Sequence, residues 1–108
     1  MNQKRLILSG VVKMTIKRVL YISTAHISAE TDEKLRNGDM DEAGMSVYEK
    51  GEFGWFIFVD HVVECFWYKD EIPEDLMGCI RLAQANHCEW LCLDRDAETV
   101  DNLPTYDW

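Results

Sequence analysis

The sequence predicts an α+β fold in the order βαββαβ, a ferredoxin-like split-βαβ sandwich with an antiparallel sheet and two helices on one face. Three observations predict it. Four short segments are rich in β-branched and aromatic residues: 17–23, 45–50, 55–60 and 89–94. Two others carry helix start and stop signals. A short glycine-containing turn joins the middle pair of strands, and right-handed crossovers then make the split-βαβ arrangement the simplest closure.

Residues 1–16 read as a tail or an extra strand before a single domain over 17–108. The first strand, KRVLYIS, ends at Ser23, and Thr24-Ala25-His26-Ile27 leads to Ser28, a good helix N-cap. Glu30, Asp32 and Glu33 follow in the first turns, where the helix dipole favours acids. Asn37-Gly38 stops this short helix, anchored mainly by Leu35. Asp39 to Gly44 reads as an acidic loop. Met45–Lys50 alternates, Gly51-Glu52-Phe53-Gly54 turns the chain, and WFIFVD returns as a strand apolar enough to be central and covered on both faces. The segment 61–72 extends the hairpin or forms a loop with an aromatic tip. Pro73, Glu74 and Asp75 open a second helix whose apolar period runs through Leu76, Met77, Ile80, Leu82 and Ala83. EWLCLD is the last strand. Its alternation puts Trp90 and Cys92 on one face and Leu91 and Leu93 on the other, so the face without helices is expected to be aromatic.

Charge is divided unevenly along the chain. The formal net charge is −9, yet Lys4, Arg5, Lys13, Lys17 and Arg18 are five of the 11 basic residues, and all 20 acids lie from Glu30 onward. From Val19 the balance is −14, from six bases and 20 acids. A body this negative repels a phosphate backbone, disfavours direct nucleic-acid binding and is steered towards a basic protein surface. No apolar run approaches bilayer length, so no membrane association is expected. Ser9, Gly10 and Lys13 interrupt the apolar N-terminus, which argues against a signal peptide and for a cytoplasmic chain. Cys65, Cys79, Cys88 and Cys92 are then expected as free thiols. They form one ragged group with His61 and His87 rather than paired knuckles, so neither a metal nor another cofactor is expected.

No catalytic site is expected. His26 with Ser23 and Asp94 invites a hydrolase triad. In the expected fold, however, the first and last strands are antiparallel neighbours, which puts His26 and Asp94 at opposite sheet edges. Ser23, Thr24 and His26 read instead as residues that fix a strand-to-helix turn. Asp94, Asp96, Glu98 and Asp101 lack the glycine and closing glutamate of a calcium loop. Leu20–Ala25 and Lys50–Val59 look like loose versions of the two strand motifs of the RNA-recognition motif, which gives a single-stranded nucleic-acid-binding module as an alternative. The basic platform of that family is missing.

Four stretches carry a further resemblance: Ile22-Ser23-Thr24-Ala25-His26-Ile27, Gly54-Trp55-Phe56-Ile57-Phe58-Val59, Cys88 to Asp96, and Leu103-Pro104-Thr105-Tyr106-Asp107-Trp108. Together they resemble a family of small uncharacterised bacterial proteins, a domain of unknown function carried by plasmids, phages and integrating elements. The S-T-A-H turn and the L-P-x-Y-D-W ending are its distinctive parts. The resemblance runs from about Val19 to the C-terminus and leaves out 1–16 and the aromatic 61–72 segment. It implies no activity or cofactor. It implies a setting among accessory genes of mobile DNA, where small acidic proteins act against host restriction or CRISPR systems. The expected function is therefore a non-catalytic acidic binder that inhibits a host nuclease or defence complex of anti-CRISPR or anti-restriction type, with DNA mimicry as one route. A homodimeric accessory protein is a second alternative. The expected partner-binding residues are Glu30, Asp32, Glu33, Asp39, Asp41, Glu42, Asp94, Asp96, Glu98 and Asp101, with Trp55, Trp67, Trp90 and Trp108 as aromatic anchors.

Overall fold

A computed structural model describes residues 14–59 and 71–108. It shows a mixed α+β fold with a four-stranded open sheet. The strands are β1 (Val19–Ser23), β2 (Ser46–Lys50), β3 (Gly54–Phe58) and β4 (Trp90–Asp94). Among the described residues the helices are α1 (Ala29–Arg36), the single turn α2 (Asp39–Glu42) and α3 (Glu74–Ala85), with a 3-10 turn at Thr24–His26. The expected acidic loop after Gly38 thus contains a helical turn. Most of the expected 1–16 tail, most of the 61–72 segment, and Cys65, His61 and Trp67 lie outside the described residues.

Local signals act as their chemistry requires. Ser28 caps α1, its hydroxyl accepting from Thr31 N at 3.2 Å. Asp75 sits in the first turn of α3 and reaches across to α1: its carboxylate accepts from Ser28 N at 2.7 Å and from the Thr31 hydroxyl at 2.8 Å. One acid therefore ties two helix starts together. α3 buries Leu76, Met77, Cys79, Ile80 and Ala83, the stripe that its period predicts. It ends in a Schellman turn, with Cys88 N donating to Ala83 O at 2.9 Å and His87 N to Gln84 O at 3.0 Å. His87 holds the left-handed position at φ 60° that glycine usually fills.

The sheet order corrects the ferredoxin-like expectation. It runs β1-β4-β3-β2, with β1 parallel to β4 and both other pairings antiparallel. The sheet is mixed rather than antiparallel, and β1 is an edge strand. Burial explains the exchange of places. In β4, Leu91, Cys92 and Leu93 are all fully buried, which only a central strand can satisfy. In β1, Val19 and Tyr21 are half exposed, which an edge tolerates. β4 also separates β1 from β3, so the two strands likened to RNA-recognition motifs are not neighbours and do not form that family's central pair.

β3 is central, as expected, but it is not equally covered. Trp55 and Ile57 are buried with Ile22, Leu91 and Leu93 in the core, whereas Phe56 and Phe58 are half-buried. The pairings Tyr21↔Cys92, Cys92↔Phe56 and Phe56↔Tyr48 make one row of the opposite face, and Val19↔Trp90 and Trp90↔Phe58 make another. That face is aromatic, as the alternation predicts. At the far end of β3, a Cβ on Gly54 would lie 1.7 Å from Leu93 O, so only glycine lets β3 meet β4 there.

Candidate functional site

β1 and β4 run parallel and end side by side, with Ser23 opposite Asp94. This is where the sequence-based exclusion of a triad needs correcting. His26 and Asp94 do not fall at opposite edges, yet no triad forms. The reason lies in how each side chain is already committed.

His26 is fully buried. Its Nε2 accepts from Val100 N at 2.9 Å, so its Nδ1 carries the hydrogen and donates to Pro104 O at 2.8 Å. Both ring nitrogens therefore hold the C-terminal segment against the 3-10 turn. The Ser23 hydroxyl accepts from Ala25 N at 3.0 Å, and Thr24 O accepts from Ile27 N at 3.1 Å. Tyr106 N donates to Ala25 O at 2.8 Å, and Trp108 Nε1 to Ile27 O at 2.9 Å. The S-T-A-H turn and the L-P-x-Y-D-W segment are thus one hydrogen-bonded unit.

Asp94 serves a different cluster. Its carboxylate accepts from the Tyr21 hydroxyl, from Lys50 Nζ at 2.9 Å and from Asp96 N at 2.8 Å. The Tyr21 hydrogen bond, then Lys50, then the Asp96 amide hold its carboxyl down to about 2. In return, Asp94 raises the Tyr21 phenol and the Lys50 ammonium above their ordinary values. Burial pushes the Cys79 thiol up to about 12 and also raises Cys92.

Beyond these strand ends lies a cleft of about 360 Å³. Its walls come from the end of β1 and the 3-10 turn (Ser23, Thr24, Ala25), from α1 (Asp32, Arg36), from the hairpin (Gly51 to Trp55), from Arg95, and from Tyr106 and Trp108. Asp32 forms part of its floor. One carboxylate oxygen accepts from the Trp55 indole at 2.8 Å, and the other meets Arg36 at 2.6 Å. Arg36 lies 5.6 Å from the Trp55 ring centre, and Arg95 lies 4.8 Å from that of Phe53. All four stretches that carry the family resemblance contribute to this cleft or to the turn behind it.

The expected binding residues divide accordingly. Glu30, Glu33, Asp39, Asp41, Glu42, Asp96, Glu98 and Asp101 are exposed, and Asp41 also accepts from Val47 N. Three residues are corrections. Asp32 and Asp94 are buried and committed to internal partners, so neither belongs to a surface carboxylate field. Trp55 is 4% exposed and cannot anchor a partner. Trp90 is half-buried on the aromatic face, its ring centre 5.1 Å from Phe58 and 6.1 Å from Tyr48. Trp108 is 59% exposed at the cleft. Trp67 lies outside the described residues.

Sequence reasoning passed over Arg36, Phe53, Arg95 and Tyr106. The i,i+4 spacing of Asp32 and Arg36 was a readable signal, as was a lone arginine between Asp94 and Asp96 at a strand end. Among the described residues, no three His, Cys, Asp or Glu side chains gather where a metal would be held, and no helix is long and apolar enough to cross a membrane.

Residues 19–108 match the C-terminal domain of DUF5983, described as a family of unknown function. No curated protein and no solved structure matches the chain.

Proposed function

Starting from the premise that the chain belongs to the DUF5983 C-terminal domain family, we propose that it is a non-catalytic protein that docks its exposed carboxylates on a basic protein surface. One observation carries this reading: where the exposed acids lie. Glu30, Glu33, Asp39, Asp41 and Glu42 stand exposed on α1 and α2, and Asp96, Glu98 and Asp101 in the loop after β4. Trp108 is 59% exposed and offers an aromatic anchor. The state of five reactive side chains among the described residues supports a role without catalysis. Cys79, Cys92, Tyr21 and Lys50 are all moved towards protonation, away from a nucleophile or base, and His26 has no free nitrogen.

The partner class we propose is a nuclease or another nucleic-acid-binding protein of a host defence system, because such surfaces are basic and the resemblance points to mobile DNA. The test is efficiency of plating in hosts whose restriction or CRISPR system targets the incoming phage. The wild-type chain is compared with a variant carrying Glu30→Lys, Glu33→Lys, Asp96→Lys and Glu98→Lys. The expected result is protection by the wild type and none by the charge-reversed protein. Absence of protection in every host, or equal protection by a folded charge-reversed variant, overturns the reading.

The exposed Tyr21 and Tyr48, with 52% and 57% of their surface accessible, favour a second reading, a homodimer through the aromatic face. Sedimentation equilibrium of the wild type and of Tyr48→Glu tests it. A monomeric wild type rejects it.

A further inference from the structure

We infer that the cleft beyond the carboxyl ends of β1 and β4 is a binding site for a small ring-bearing oxyanion, a flat molecule carrying one phosphate or carboxylate group. The inference does not depend on the protein-partner reading. It rests on where the few bases gather. Only six basic residues occur from Val19 onward, against 20 acids, and three of them gather at this end of the molecule. Arg36 and Arg95 line the cleft together with two acids, Asp32 and Glu52, and Lys50, paired with Asp94, stands 5.4 Å from the Phe53 ring centre.

The two guanidiniums are held for recognition. Each lies against an aromatic ring, Arg36 on Trp55 and Arg95 on Phe53, which restrains it while leaving N–H donors at its edge. Arg36 gives one nitrogen to Asp32, whose other oxygen is taken by the Trp55 indole. Arg95 makes no ion pair among the described residues. A planar fork of free donors matches a carboxylate or phosphate. Tyr106 and Trp108, which are 37% and 59% exposed, offer faces on which a flat ring can stack. A volume of about 360 Å³ suits a ligand of mononucleotide size, and the crevice beyond parallel strand ends is a common place for one.

Charge also sets the size limit. Screening confines the reach of a surface charge to about 8 Å at physiological salt. A small oxyanion seated on the guanidiniums therefore meets only the acids of the cleft itself, Glu52 and the Asp32 that Arg36 and the Trp55 indole already hold. A long polyanion would also meet Asp96 and Glu98, exposed on the loop after β4.

Isothermal titration calorimetry tests the proposal, with adenosine monophosphate and benzoate as ring-bearing oxyanions. Adenosine, inorganic phosphate and a short 5′-phosphorylated oligonucleotide are the comparison ligands. The variants are Arg95→Ala and Arg95→Lys, checked for native circular dichroism. At least one ring-bearing oxyanion is expected to saturate a single site, and to bind about 10-fold or more tighter than adenosine or phosphate. Arg95→Ala is expected to lose about 10-fold or more, and Arg95→Lys most of that, because lysine lacks the planar fork. The proposal is overturned if neither ring-bearing oxyanion saturates at about 5 mM, or if a folded Arg95→Ala protein binds as the wild type does. It is also overturned if the oligonucleotide binds more tightly than the mononucleotide. The comparison of ligands on the wild-type protein decides the matter independently of how the variants fold.

Discussion

Replacing Asp32 tests whether this carboxylate belongs to the surface or to the framework. It is 7% exposed, and it accepts from the buried Trp55 indole at 2.8 Å and from Arg36 at 2.6 Å. The indole hydrogen bond ends on a charged acceptor, a type that contributes about 1.5–3 kcal/mol. The Arg36 side chain is 63% exposed, so its ion pair adds at most about 1 kcal/mol. Asp32→Ala removes both and leaves the Trp55 N–H buried without a partner. We expect a loss of about 2–3 kcal/mol, or roughly 8–20 °C in Tm for a domain of this size. Asp32→Asn keeps the shape and can still accept from the indole, but it turns an amide N–H towards Arg36. It should lose about 1–2 kcal/mol. Arg36→Ala should lose no more than about 1 kcal/mol. Glu33→Ala, one residue along and exposed, should stay within about 0.5 kcal/mol. Urea unfolding followed by circular dichroism gives all four values. If Asp32 were a surface acid on this negatively charged chain, removing it would be neutral or slightly stabilising. An Asp32→Ala protein within about 0.5 kcal/mol of Glu33→Ala would refute the assignment.

Three further outcomes follow from geometry. Gly54→Ala puts a Cβ 1.7 Å from Leu93 O, a backbone atom that cannot swing away as a side chain would. It should destabilise by about 3 kcal/mol or more, measured as the shift in urea midpoint. His87→Gly relieves a left-handed residue at the end of α3, at φ 60°, and should raise stability by about 0.5–1 kcal/mol in thermal unfolding. The Asp94 carboxyl sits at about 2 in the fold against an ordinary 3.8, so its stabilisation is complete above 3.8 and disappears as pH falls to about 2. Acid titration of stability should show that loss in the wild type and a smaller one in Asp94→Asn.

Local chemistry made much of the fold legible. Ser28, Asn37-Gly38 and Pro73-Glu74-Asp75 mark helix ends by satisfying, or being unable to supply, particular backbone groups, and the hairpin turn is written in Gly51 and Gly54. The place of each strand in the sheet is a non-local property, and there the reading failed. Its clue was nevertheless present. Leu91-Cys92-Leu93 shows no polar alternation and demands cover on both sides, whereas Tyr21 and Val19 can serve at an edge. The candidate site was readable only in pieces. Asp32 and Trp55 are 23 residues apart, and nothing in either neighbourhood announces that one will accept a hydrogen bond from the other. The same holds for His26 and Val100, 74 residues apart. Counting acids therefore overstated the surface field by two residues that the fold uses internally, and it hid the arginines among them.

The parallel pairing of β1 with β4 also sets an order of events during synthesis. Val19 emerges from the ribosome 71 residues before its partner Trp90. At about 5–20 residues per second, β1 waits roughly 4–14 s for the strand on which it will lie. β2 and β3, joined by a short turn, need no such delay. The hairpin should therefore be available first as a template, β4 should dock on β3 when it arrives, and β1, made before the other three, should be placed after them. A refolding experiment on the complete chain abolishes that wait. A difference between yields on refolding and during translation would register how much the delay matters.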